Sequence, residues 1–248
     1  MGKYSLANSG LSESELIGIF EEYYRDDQSL KTIFQFALAN KERFPNIHIS
    51  DKVLITGIDI NRAYIRKWCS DYLDYILPSK RSAPLKTTPD DPALIKMIES
   101  YASMTNAEAD ESLKQHNLWM SAENIQGELL EEYIAQKTSP LGWIWCKGSI
   151  LRAIDFMSFD GTFLLQIKNK FNTENSSSSA IRDGSDIKKW FRLGKTMNGG
   201  KTEPSFKWDI LNYIIDCGSN GASSSNMSEE DYEDFLSVIS RENPHLLK

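Results

Sequence analysis

The sequence predicts an α+β fold, or an α/β core carrying a helical extension, with the sheet in the second half of the chain. Three observations lead there. Apolar residues recur at helical spacing through most of the first ~115 residues. Three apolar segments of strand length then follow within 142–169. Between the last two stands Asp160-Gly161, a strong short-range sign of a hairpin. Helices first, then strands and mixed elements, is the order such a fold requires.

Taken in order, Ser12-Glu-Ser-Glu15 is a capping-box pattern, and Leu16, Ile19, Phe20 and Tyr23 follow on one helical face. A second helix is predicted over 29–44, stopping before Pro45. A third covers 61–77, with Ile65, Trp68, Tyr72 and Ile76 on one face and Pro78 at its end. Residues 78–92 hold Pro78, Pro84, Pro89 and Pro92 and read as a loop or linker. Asp91-Pro92 then starts a helix towards Met104, and Ser121 is the predicted N-cap of a helix over 122–136. Strands are predicted at 142–147, 150–157 and 162–169. A polar loop spans 172–179, and 186–193 begins a helix. The stretch 206–216 fits a strand or a short buried helix. Residues 219–226 are rich in Ser, Gly and Asn and read as a flexible connection, before Ser228 caps a last helix ending near Asn243-Pro244. The expected organisation is a mainly helical region, 1–118, followed by a core, 119–248.

A chain of 248 residues, 40% of them hydrophobic, has ample material for a core. No apolar run has the length to span a bilayer, and no signal segment is expected. Cys69, Cys146 and Cys217 are odd in number and widely spaced, which fits neither a zinc site nor a disulfide framework and points to the reducing cytoplasm. His48, His116 and His245 are scattered too, which argues against a histidine-based site. Net charge is −7, but residues 147–207 carry eleven Lys/Arg against six Asp/Glu, a local +5 that leaves −12 for the remainder. Such a segment is either a mixed-charge surface or the footprint of a polyanion.

The candidate chemistry lies within that basic segment. The hairpin brings Asp155 and Lys168 to neighbouring strand ends, and Gln166 and Lys168, two apart, share a face. A carboxylate, a second oxygen donor and a lysine at one strand end are the minimum for holding a divalent metal and hydrolysing a phosphodiester. Each residue also has a plainer reading. Asp155 can hydrogen-bond a turn, and Lys168 can guard an edge strand. An ionised carboxylate and an ammonium among Ile, Leu and Phe are nevertheless costly unless partnered, and together they weaken the plainer readings. On the preceding helix, Glu128 and Glu131 are neighbours while Leu129 and Leu130 face inward and Glu132 faces solvent. Glu131 is the expected third metal ligand, with Glu128 and Glu174 as alternatives.

After Lys168 the chain is dense in hydrogen-bonding side chains: Asn169, Lys170, Asn172, Thr173, Asn175, Ser176, Ser177, Ser178, Ser179 and Arg182. Asn pairs with adenine and Arg with guanine, while Ser and Thr serve phosphates or base edges. Lys188, Lys189 and Arg192, interleaved with Trp190 and Phe191, are expected on flanking phosphates. Composition alone also allows a flexible Ser-rich loop.

This arrangement resembles the PD-(D/E)xK nucleases, whose pattern is a helix glutamate, a strand aspartate and an acid-x-lysine. Glu131, Asp155 and Gln166-Ile-Lys168 occupy those places, over about 121–170. The longer string from Gln166 to Ser179, with Ile187-Lys-Lys-Trp-Phe-Arg192 after it, is similar to type II restriction endonucleases of the SinI group. The resemblance implies a mixed central sheet flanked by helices, with Mg²⁺ held by Asp155, Gln166, Glu131 and a backbone carbonyl. It implies that Lys168 orients or helps deprotonate the attacking water. It further implies double-stranded DNA as substrate, a five-base-pair GGWCC site, and a homodimer with no membrane association. Gln166 departs from the pattern: its amide oxygen can ligate a hard cation but brings no charge. A sequence-specific DNA-binding protein with a decayed nuclease site and a repair or structure-specific nuclease are the competing readings. The retained Lys168 argues against the first, and the hydrogen-bonding loop against the second.

Overall fold

The computed structural model describes residues 3–50, 59–82, 91–170, 186–219, 221 and 224–247. The chain divides into two compact units: Met1–Tyr75 with Ile134–Met227, and Ile76–Tyr133 with Ser228–Lys248. The division interleaves segments from both halves, where the sequence suggested one boundary near 118.

The first unit contains a small antiparallel pair, β1 (Lys3–Tyr4) with β2 (Ile47–His48), and helices α1 (Glu13–Glu21), α2 (Gln28–Ala39) and α3 (Ile60–Leu73). The capping box forms: Ser12 Oγ accepts the Glu15 N–H, and the Glu15 carboxylate accepts the Ser12 N–H at 2.8 Å. The second helix ends at Ala39 instead of reaching residue 44, because Asn40 turns the chain into a 3₁₀ segment, Lys41–Arg43. The third likewise ends at Leu73, short of 77.

The same unit carries a five-stranded sheet in sequential order: β3 (Trp143–Trp145), β4 (Phe156–Ser158), β5 (Leu164–Lys170), β6 (Ile187–Asn198) and β7 (Lys201–Phe206). β5 and β6 are parallel and the other pairs antiparallel, so the sheet is mixed. One core joins the N-terminal helices to it. Leu16, Phe20, Leu30, Phe34 and Trp68 cluster with Ile144, Met157, Leu164 and Ile187. Phe20 and Phe34 stack at 4.0 Å, and the fully buried Trp68 donates its Nε1–H to the Ile150 carbonyl at 2.9 Å. The first 75 residues therefore build the same hydrophobic core as the strands.

One strand prediction and one helix prediction need correction. The strand expected at 150–157 begins only at Phe156. Ile150, Leu151 and Ile154 are buried, yet they lie in a turn-rich segment where Ala153 adopts φ +62°. Periodicity cannot separate a short buried apolar run from a strand. The segment expected to begin a helix at 186–193 is β6. Ile187, Trp190 and Phe191 mimic helical spacing, but in the strand Ile187, Trp190 and Arg192 are buried around exposed or half-buried lysines. The undecided stretch 206–216 resolves as helix α6 (Trp208–Cys217). Beyond it, Ser225 is buried, its N–H on Asp216 at 2.7 Å and its Oγ–H on Asn212 at 2.9 Å, so that end of the expected flexible connection is tied down.

The second unit holds α4 (Pro92–Ala102), α5 (Asn106–Thr138, in this unit as far as Tyr133) and α7 (Glu229–Glu242). Asp91 caps α4 ahead of Pro92, and Ser228 caps α7, as predicted. Ser121 caps nothing: α5 is continuous, and Ser121 is buried in its middle. No proline interrupts 106–138, and the start signal was Thr105-x-x-Glu108. There the Glu108 carboxylate accepts the Thr105 N–H at 2.8 Å. Ile125, Leu129, Ile239 and Leu246 form this unit's own core. Glu132 is not solvent-facing but 2% exposed. It accepts the Ser79 N–H at 2.8 Å and the Ser79 hydroxyl at 2.5 Å, the pairing that a buried carboxylate needs. Among the described residues no helix is long and apolar enough to cross a membrane.

Candidate active site

The β4–β5 hairpin builds the site. Its turn is fixed by Asp160, whose Oδ1 accepts the Ser158 hydroxyl at 2.6 Å, the Thr162 hydroxyl at 2.8 Å and the Thr162 N–H at 3.1 Å. These bonds hold the Asp160 carboxyl below its ordinary value of 3.8, the Ser158 hydroxyl contributing most. Gly161 follows at φ +73°, and a Cβ there would approach Phe36 to 3.1 Å. Both conformation and space call for glycine at that position.

At the open end of the hairpin, Asp155 is stitched in from both sides. Its carbonyl accepts the Cys146 N–H at 2.8 Å, and its own N–H donates to Leu165 at 2.9 Å. Its Oδ2 accepts the Ile167 N–H at 2.7 Å. The carboxylate is thereby held beside the backbone between Gln166 and Lys168. The expected meeting of these three residues is present, although Asp155 precedes its strand instead of lying inside it.

Gln166 is 6% exposed, and its Oε1 is a buried acceptor with no hydrogen-bond partner among the described residues. Burying an amide oxygen unpaired is costly, and such an atom next to a fixed carboxylate marks a place for a cation or a bound donor. Lys168 is half-buried two residues on, with no ion pair among the described residues. In the parallel register Gln166 lies opposite Lys189, Lys168 opposite Phe191, and Lys170 opposite Leu193. Directly opposed residues share a face. Lys189 therefore neighbours Gln166, and its Nζ lies 5.9 Å from the Phe191 ring centre. The site is one carboxylate and one neutral amide oxygen inside a row of lysines.

Glu131 is half-buried on α5 in the second unit, and Glu128 of that unit is ion-paired with Arg81. Arg192, expected on a phosphate, is instead 6% exposed. Its Nε–H donates to Asn169 Oδ1 at 2.8 Å, and its guanidinium lies 5.4 Å from the Phe206 ring centre. Both Arg192 and Asn169 thus help hold the sheet together. Lys188 is exposed. Asn172, Thr173, Glu174, Asn175, Ser176, Ser177, Ser178, Ser179 and Arg182 lie outside the described residues. Among the described residues no three His, Cys, Asp or Glu side chains group as a metal site. A cleft of about 580 Å³ in the first unit, lined by Trp68, Tyr72 and Lys147 among others, includes none of Asp155, Gln166 and Lys168. Their place outside that cleft, towards the end of the central strand β5, suits an extended substrate better than a small enclosed one.

The SinI restriction endonuclease family model matches residues 56–235, a span that includes Asp155, Gln166 and Lys168. The chain belongs to the SinI restriction endonuclease family. It is 41% identical over 165 residues to the type II restriction enzyme Eco47I of Escherichia coli, covering 64% of this chain and 65% of that enzyme. It is 37% identical over 164 residues to the type II restriction enzyme SinI of Salmonella infantis, covering 64% of this chain and 70% of that enzyme. The chain thus spans just under two thirds of the Eco47I enzyme's length.

Sequence reasoning passed over two features of this family member. One is the Ile167 N–H that fixes the Asp155 carboxylate, which no residue type signals. The other is the β6–β7 hairpin, which Gly199-Gly200 did signal.

Proposed function

We propose that this protein is a type II restriction endonuclease that hydrolyses duplex DNA at a short palindromic site with Mg²⁺ and acts as a homodimer. The observation that carries the proposal is the orphaned, buried Gln166 Oε1 beside the Asp155 carboxylate, with Lys168 on the same face. The donors are hard oxygens and fit a magnesium ion. Asp155 and Gln166 with a backbone carbonyl would hold it, weakly until phosphate oxygens join. Bound there, the ion supplies Lewis acidity and lowers the pKa of a water.

The chain's own residues do the rest. Asp155 contributes the fixed negative charge, and the Ile167 N–H orients it. Lys168 places an ammonium where charge develops on the pentacovalent phosphorus and orients the attacking water. Lys170 and Lys189, on the face of Gln166 and Lys168, draw the DNA backbone to this face. The two-fold symmetry of a palindromic site supports a two-fold protein, each copy reading one half-site. Asn172–Arg182 is the proposed base-reading segment.

Gln166 in place of an acid favours one second reading, a DNA-binding protein that no longer cuts. Incubating the protein with plasmid in Mg²⁺ and in chelator separates the two. Metal-dependent cleavage supports the endonuclease. Sequence-selective binding without cleavage in Mg²⁺ supports the decayed site.

A further inference from the structure

β6 is twelve residues long, but among the described residues β5 accompanies it only as far as Leu193. Beyond that point β6 and β7 form a two-stranded ribbon, pairing Gly194 with Ser205 through Asn198 with Lys201 across the Gly199-Gly200 turn. Both turn glycines have positive φ, +56° and +80°, a tight reversal open to few other residues. Every residue from Lys195 to Pro204 is exposed, including Met197 at 70%. The ribbon itself carries Lys195 and Lys201 against Glu203, within a stretch, 187–207, of six Lys/Arg against one Asp/Glu in a chain of net charge −7.

We infer that this ribbon enters the major groove of the DNA and is a specificity element distinct from 172–182. The inference rests on the restriction-endonuclease reading above and names the protein surface that reads the substrate. Alternation along β6 puts Lys195 and Met197 on the face that carries Gln166 and Lys168. From Phe191, opposite Lys168, to Met197 is about 20 Å at ~3.3 Å per residue. A ribbon based beside Lys168 thus spans several base pairs, at about 3.4 Å each. A major groove about 12 Å wide admits a two-stranded ribbon. Both faces of the tip carry chemistry to read it: Lys195 for a phosphate and the Met197 methyl for an apolar contact on the face of Lys168, and on the opposite face Lys201 for a phosphate and the Asn198 amide for a base edge, once it exchanges its bond to Glu203 at 3.3 Å. Charge complementarity selects DNA over an apolar protein partner.

The test uses the full chain, Mg²⁺, and duplex oligonucleotides bearing the parent's mapped site and each single base-pair change of it. Asn198→Ala is expected to lower discrimination at one position roughly ten- to hundredfold. Lys195→Ala is expected to weaken binding to all duplexes and to reduce the salt slope by about one. These side chains are exposed, so the melting temperature should stay at the parent's. A parent that cuts one site while both variants keep its discrimination and salt slope overturns the ribbon's role and leaves the endonuclease reading standing. A parent that neither binds nor cuts duplex DNA overturns both.

Discussion

Asp155 and Ile167 are locked together across the hairpin: the carboxylate Oδ2 accepts the Ile167 N–H at 2.7 Å. A donor from the next strand thus sets the position of the acid, and the same backbone segment sets the directions of Gln166 and Lys168. One hydrogen bond therefore connects all three candidate residues.

Asp155→Asn keeps an oxygen able to accept the Ile167 N–H while removing the charge. We expect a correctly folded protein whose cleavage falls at least about a hundredfold, a larger loss than for Gln166→Ala. Single-turnover cleavage across a Mg²⁺ titration checks the ranking, and equal impairment of the two variants would reverse it. Gln166→Glu should lower the Mg²⁺ concentration needed for half-maximal cleavage.

Lys168→Ala should abolish Mg²⁺-dependent cleavage while DNA affinity, measured by gel shift in Ca²⁺, stays near the parent's. A group acting in the chemical step shows its loss in the rate. A variant that cuts near the parent rate removes Lys168 from the site.

Lys189→Glu should weaken binding to all sequences alike and flatten its salt dependence, since a lysine beside Gln166 that meets a phosphate carries no base information. Fluorescence anisotropy at several salt concentrations reads this directly. A loss confined to one sequence would move Lys189 from backbone to base contact.

Trp68→Ala should cost about 3–5 kcal/mol, because a fully buried indole and its bond to Ile150 are lost together. The helices and sheet share one core, so urea melts followed by tryptophan fluorescence and by cleavage activity should shift in step. Retained cleavage after the fluorescence transition would show that the N-terminal helices fold apart from the sheet.

Asp160→Ala should loosen the hairpin turn modestly, by less than about 1 kcal/mol, since the group is exposed and screened. The sign with pH is fixed. The Asp160 carboxyl is held below 3.8, so its contribution is full above that value and is lost as the pH falls through the lower folded value. Stability curves of parent and variant should therefore converge at acid pH, and a gap that widened there would contradict the turn's role.

Much of this was readable in the residues. Ser12, Asp91 and Ser228 announced their helices through capping chemistry, and Asp160-Gly161 announced the hairpin that joins Asp155 to Gln166 and Lys168. Periodicity failed where burial is two-sided. Ile150 to Ile154 looked like a strand because a buried loop is as apolar as one. β6 looked helical because Arg192 occupies a buried place that pattern reading reserves for an apolar residue. Ser121 misled because a serine tolerated within a long helix has the same letter as a cap. The orphaned oxygen of Gln166 is a fact of packing, beyond the reach of sequence.

The central claim is that Asp155, Gln166 and Lys168 form a metal-dependent, site-specific nuclease centre. Digesting a plasmid of known sequence with the parent and with Lys168→Ala in Mg²⁺, and sequencing every end, tests it most directly. The account predicts discrete fragments whose ends all fall at one short palindromic sequence with the parent, and intact plasmid with the variant. Uncut plasmid with the parent, ends scattered without a common sequence, or equal cutting by both proteins would contradict it.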